Sequence, residues 1–227
     1  MTTQVRHEPS EPRANGYRLQ LERGRVLRVE LNVKAGEPAL VFVDLFAVAA
    51  GSPPRHVASA AQGETLLEHE IEREGTYILR IQPELLRGGT FEIGQRTTAA
   101  LAFPVAGRTS AAVQSVFLDP RDGNRREHHG IDIFAARNTP VLAAADGFVS
   151  QVGTTALGGN VVWVWDPKRR QSHYYAHLEA QAVTTGERVK AGTTPPHLHF
   201  GIYHRGEGPI DPLPFVRGAR APDVTVN

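Results

Sequence analysis

From residue 17 onward, apolar and polar residues alternate with a period of two along much of the chain. In RVLRVELNV (25–33), Leu27, Val29, Leu31 and Val33 alternate with Arg28, Glu30 and Asn32. Successive side chains of an extended strand point to opposite faces, so this stretch predicts a half-buried strand and not a helix. ALVFVDLFAV (39–48), GETLLEHEIE (63–72), GTYILRIQP (75–83) and GTFEIGQ (89–95) repeat the pattern between turn signals such as KAGEP, GSPPR and REG. Evenly spaced short strands predict a small β-sandwich or jelly-roll-like domain over residues 17–97. Residues 1–16, polar with two prolines, predict a lead-in without structure. Residues 98–114 mix small, polar and apolar side chains and predict a connection into a second domain over 115–220.

That second half alternates again in VLAAADGFVSQVG, GNVVWVWDP and SHYYAHL, so the whole chain is expected to be all-β. Its composition differs from the first half: seven of the ten histidines lie between residues 128 and 204. With 227 residues the chain is long enough for two domains with their own cores. The formal charge of +1, from 25 Lys and Arg against 24 Asp and Glu, gives no reason to expect nucleic acid as a partner. No cysteine is present, which excludes disulfides, thiol catalysis and cysteine metal ligands, so any metal must be held by His, Asp or Glu. No stretch is apolar enough for a signal-peptide core or a membrane span, and neither is expected within these residues.

Three short motifs carry candidate chemistry. In HHGID, parity places Asp132 on the same strand face as His128 and Gly130, and His129 on the other. A carboxylate and an imidazole with a bare residue between them can reach one metal ion, zinc among the ions that accept N and O ligands. Alone, the same spacing reads sooner as a surface ion pair than as a metal site. In PPHLHF, Pro195 and Pro196 cannot donate to a ladder, so a strand should begin near His197. His197 and His199 then share one face while Leu198 and Phe200 enter the core. In SHYYAHLEA, strict alternation puts His173, Tyr175 and His177 on one face and Tyr174, Ala176 and Leu178 on the other. His128, Asp132, His177, His197 and His199 together supply three ligands and two further imidazoles, the requirement of a hydrolytic zinc site.

The run from HHGIDIFAARNTPVLAAADGFVSQVG through HYYAHL to TPPHLHFGIY closely resembles the catalytic domain of the lysostaphin/LytM-type zinc endopeptidases, peptidase family M23, over about residues 115 to 215. The resemblance implies an antiparallel β-sheet crossed by a groove at the metal. It implies that His128, Asp132 and His199 bind zinc, with His197 and His177 acting on the water and the scissile carbonyl. His129 and His173 read as solvent-facing residues, or as contacts behind the ligands. Asn160 reads as structural. The implied substrates are peptides of peptidoglycan, which would put the protein in the periplasm, the cell envelope or outside the cell, with any targeting segment lying beyond these residues. The oligomeric state is not implied. Residues 17–97 are similar, through alternating apolar positions only, to β-sandwich domains appended to secreted peptidases.

Two departures from the family stand out. VKAG runs directly into TTPPHLHF where about a dozen more residues are usual, so either the sheet has lost a hairpin or a segment is missing between Gly192 and Thr193, and the second is the expectation. SVFLDPRDG replaces the stretch whose aromatic usually borders the groove, leaving Phe117 or Arg121 to do so. The rival reading is a non-catalytic or autoinhibited LytM-type regulator of cell-wall hydrolases; such relatives have lost ligands, whereas all five residues are present here.

Overall fold

The computed structural model describes residues 2–7, 13–34, 40–85, 89–191 and 198–221. His197 and the junction between Gly192 and Thr193, both singled out by the sequence, lie outside the described residues. The chain divides into two units, Met1–Thr98 and Ala99–Asn227.

The first unit holds β1 (Thr2–His7), β2 (Asn15–Leu21), β3 (Arg25–Lys34), β4 (Val41–Val48), β5 (Arg55–Ser59), β6 (Leu66–Glu70), β7 (Gly75–Pro83) and β8 (Gly89–Ala99). They form two four-stranded sheets, β1-β8-β3-β6 and β2-β7-β4-β5. Leu27, Val29, Leu67 and Phe91 of the first sheet and Val43, Leu45, Leu79 and Ile81 of the second share one core. The alternation read from RVLRVELNV is the cause: Leu27, Val29 and Leu31 point inward. Their neighbours Arg28 and Glu30 pair on the outer face, and Arg28 also reaches Glu68. The expected unstructured lead-in is corrected at both ends. Thr2–His7 pairs antiparallel with β8, and Asn15 already belongs to β2. Backbone pairing to a neighbouring strand, which side-chain polarity does not report, orders both segments.

The second unit holds β9 (Val113–Ser115), β10 (Pro120–Arg121), β11 (Arg126–Glu127), β12 (Ile131–Ile133), β13 (Gly147–Thr155), β14 (Gly159–Asp166), β15 (Gln171–Leu178), β16 (Arg188–Val189), β17 (Leu198–His204) and β18 (Gly208–Ile210), with a short helix α1 (Leu213–Val216). Its main sheet runs β16-β13-β14-β15-β17-β12-β9, with β18 added to β17. One face of this sheet is buried against segments that are not strands. The expected connection 98–114 is one of them: Leu101, Phe103 and Val105 are core residues, and Leu101 N–H donates to the Phe215 carbonyl while Ala102 N–H donates to that of Ala144. The period-two spacing of Leu101, Phe103 and Val105 was the available signal, masked by the small residues around them. Ala143, Ala144, Ala145, Phe215 and Val216 complete the cover. No helix among the described residues is long and apolar enough to cross a membrane.

His173, expected to face solvent or to lie behind the ligands, is instead fully buried on this covered side. Gln171 Nε2 donates to its Nε2 at 2.9 Å, and Asp166 Oδ2 lies 3.9 Å away. Burial disfavours the charged imidazolium and lowers its pKa from 6.5 to about 4. The folded chain therefore holds His173 neutral where the unfolded chain takes up a proton. Its contribution to stability is complete above pH 6.5 and is lost as pH falls toward 4, an effect of about 3 kcal/mol. Urea unfolding of the parent and of His173→Phe at pH 7 and pH 4.5 checks this: the variant is expected to lose that part of the acid sensitivity, and equal losses in both would place the proton uptake elsewhere.

Candidate active site

The open face of the second unit's sheet carries the predicted chemistry. On β12, Ile131 and Ile133 are fully buried, so Asp132 between them points to the opposite, open face. On β17 the same logic operates: Leu198 and Phe200 are buried and His199 projects with Asp132, to which it is paired across the ladder. His128 precedes β12, and its side chain is buried, 3% exposed.

The three side chains converge. His128 Nε2 lies 3.1 Å from Asp132 Oδ1 and 2.9 Å from His199 Nδ1, and His199 Nδ1 lies 2.9 Å from Asp132 Oδ1. Two ring nitrogens and a carboxylate oxygen at such separations form a triangle whose lone pairs repel unless a proton or a cation sits among them. No fourth His, Asp or Glu among the described residues joins the group.

Gly130 makes the triangle possible. A Cβ at this position would lie 2.6 Å from the Phe200 carbonyl oxygen and 2.7 Å from both Cε1 and Nε2 of His199. The imidazole of His199 thus occupies the space that any side chain at 130 would fill.

Behind the triangle, hydrogen bonds orient His128 and Asp132. His128 Nδ1 donates to the Val116 carbonyl at 2.8 Å, so its Nε2 is the unprotonated, outward nitrogen. Arg121 donates to Asp132 Oδ2 at 2.7 Å, on the side away from the imidazoles. Ser115 Oγ and Val116 N–H both donate to Asp119 Oδ2, at 2.7 and 2.8 Å. Burial lowers the His128 pKa despite the bond to Val116 and the nearby Asp132. For Asp132 burial acts upward, yet the hydrogen bond from His199 and the charges of His128, His199 and Arg121 hold the carboxyl below its usual range. Both residues are thereby kept in the forms that donate lone pairs.

His177 reaches this face by a route that strict alternation does not predict. Asn160 pairs with Leu178 and Val162 with Tyr175, so β15 carries a β-bulge between those pairs. At the bulge His177 adopts a left-handed φ of 59°, and its N–H donates to the Gly158 carbonyl at 2.7 Å. Tyr175 and Leu178 are consequently both buried, while His177 is exposed and its ring centroid stands 6.2 Å from that of His199. The expected grouping of His173, Tyr175 and His177 on one face is therefore corrected: His177 stands apart from the other two, and Tyr174 is the residue that flanks His199, at 5.9 Å between ring centroids. Trp163 packs on Tyr174 and Tyr203 at 4.4 and 5.0 Å, extending an aromatic wall from the triangle.

His129 is exposed beside Phe117, their ring centroids 6.4 Å apart. Of the two residues suggested for the border, Arg121 bonds Asp132. Asn160 donates to the Glu179 carbonyl and accepts from Thr154 Oγ1, which ties the β13–β14 hairpin to the end of β15. Ser115, Val116 and Asp119 were not anticipated; their only signal was closeness in sequence to HHGID, across a turn.

Residues 126–212 match the model of Peptidase family M23. Over 140 residues the chain is 35% identical to an L-Ala–D-Glu endopeptidase of Bacillus subtilis, covering 51% of this chain and 43% of that protein. It is 33% identical over 111 residues to the glycyl-glycine endopeptidase ALE-1 of Staphylococcus capitis, covering 42% and 31% respectively. It is 36% identical over 103 residues to the peptidoglycan DD-endopeptidase ShyC of Vibrio cholerae, covering 39% and 23%. The chain thus spans less than half the length of each of these relatives. The similarity to peptidase family M23 thus lies within the second unit, over residues 126–212.

Proposed function

We propose that the chain is a zinc-dependent endopeptidase that hydrolyses peptide bonds within peptidoglycan. The observation that carries this reading is the triangle of His128 Nε2, Asp132 Oδ1 and His199 Nδ1, all within 3.1 Å of one another on an open sheet face. A set of two imidazoles and one carboxylate suits zinc, and three protein donors are the number found in catalytic rather than closed structural sites. Zinc bound there would supply a Lewis acid and lower the pKa of a coordinated water from about 15.7 toward about 7.

The chain's own residues then divide the work. His128, Asp132 and His199 hold the metal. His177 and His197 handle protons, one taking the proton from the attacking water and the other stabilising the oxyanion or protonating the leaving amine. The relatives are named for different peptide bonds, so the proposed substrate is the peptide portion of peptidoglycan as a class. Action on that polymer implies a site of action in the cell envelope or outside the cell. The complete ligand set favours this reading over the non-catalytic regulator.

His177→Gly separates the reading from a structural role for the same residue. A left-handed φ costs a residue bearing a Cβ about 1 kcal/mol that glycine avoids. The variant is expected to unfold at a higher urea concentration, to keep its zinc, and to lose turnover on peptidoglycan by about a hundredfold or more. Retained turnover would remove His177 from the chemistry.

A further inference from the structure

Arg121 stands outside the metal donor set, yet its contacts join the supports of two of the three donors. It closes β10 and is followed by a tight turn, with left-handed φ at Asp122, Gly123 and Asn124, that returns the chain through β11 toward His128. From there its guanidinium, 27% exposed, bonds Asp132 Oδ2 at 2.7 Å and also donates to Ser115 Oγ. Ser115 Oγ in turn donates to Asp119, Asp119 holds the Val116 N–H, and the Val116 carbonyl receives the proton of His128 Nδ1. One connected set of hydrogen bonds thus fixes both the carboxylate and the first imidazole of the triangle.

The two oxygens of Asp132 have separate duties. Oδ1 faces His128 and His199, at 3.1 and 2.9 Å, while Oδ2 is engaged by Arg121. A carboxylate without this partner rotates freely about its last bond and offers either oxygen, or both. A guanidinium keeps its charge at every relevant pH and presents its donors in a rigid plane, so it holds the carboxylate in one orientation. It also offsets part of the negative charge that would otherwise be buried beside the triangle.

We infer that Arg121 is a positioning residue for the metal site: it orients Asp132 so that a single oxygen is presented to the ion, and through Ser115 and Asp119 it shares in holding His128. The inference rests on the proposal that the triangle binds zinc, but not on hydrolysis. Its role is distinct from touching substrate, and the two are separated by what is measured.

The test is zinc affinity of the full chain, by competition with a chromophoric chelator, for the parent, Arg121→Met and Arg121→Lys, alongside urea unfolding of the metal-free proteins. Supports of this kind alter metal affinity by roughly ten- to a hundredfold when removed. Arg121→Met is expected to bind zinc at least about tenfold more weakly than the parent, and Arg121→Lys, which keeps the charge but not the planar fork, to recover part of that loss. Should Arg121→Met not fold, Arg121→Lys and Ser115→Ala carry the test, each expected to weaken zinc binding without abolishing it. Affinities within twofold of the parent in the folded variants would overturn the inference while leaving the proposed function intact, and a loss of hydrolysis with unchanged affinity would assign Arg121 to substrate instead. A parent chain that binds no zinc overturns both.

Discussion

Replacing His199 or Asp132 with alanine is expected to weaken zinc binding by about two orders of magnitude and to remove most hydrolysis of peptidoglycan. Each side chain contributes one corner of the triangle, and each lies about 3 Å from both other donors. Zinc sites in proteins bind with free energies of about 10 kcal/mol or more at neutral pH, so losing one donor in three costs roughly 3 kcal/mol, about two orders of magnitude in affinity. Turnover should fall further, by about three orders of magnitude, because polarisation of the carbonyl and activation of water are lost together. The two variants are expected to remain folded, since neither residue belongs to the second unit's apolar core. Equilibrium dialysis against zinc, with circular dichroism as the folding control, checks the first part; release of soluble peptides from peptidoglycan checks the second. Tight zinc binding by either variant would show that the ion is held elsewhere.

Gly130→Ala should act almost as strongly, although it removes no functional group. Its methyl would meet the Phe200 carbonyl at 2.6 Å and the His199 ring at 2.7 Å. The backbone contact cannot be relieved by a side-chain rotation, because β17 is paired on one side with β12 and on the other with β15. The expected cost is about 1–3 kcal/mol of stability, together with displacement of the His199 imidazole from the triangle. Zinc affinity should fall as it does for a ligand variant. Gly153→Ala is the control: a Cβ there would meet only Gln151 Nε2, at 4.0 Å, and stability and zinc binding should be unchanged. A Gly130→Ala protein that binds zinc like the parent would show that His199 is not held by this contact.

Period-two alternation made the all-β architecture legible, and it made half of the site legible as well. The parity of His199 against Leu198 and Phe200 carried through because β17 is regular there, whereas His128 meets Asp132 from the segment before β12, outside any strand. Alternation failed at His177 because a bulge inserts one residue, after which every later side chain changes face. The trace of that event was present in the sequence: Tyr175 and Leu178, both apolar, are three apart in a strand that otherwise alternates. His173 was misplaced for a different reason. An imidazole on an inward position reads as polar, yet beside Gln171 it is stored neutral in the core. Ser115 and Asp119 were obscure because their relation to His128 passes through a turn and through a backbone carbonyl, which no residue spacing encodes; Arg121 was singled out, but for the groove border and not for its bond to Asp132. Part of the connection 98–114, Leu101 to Val105, proved to be core because a strand face can be covered by irregular segments whose apolar residues are few but well placed.

The most direct test of the central claim combines zinc content with cleavage. Elemental mass spectrometry of the purified chain is set beside peptidoglycan hydrolysis measured before chelation, after chelation and after zinc is restored. About one zinc per chain is expected, with cleavage that stops on chelation and recovers when zinc returns. Zinc without cleavage would contradict the endopeptidase reading and favour a regulator; a chain without zinc that still cleaves would contradict the metal site itself.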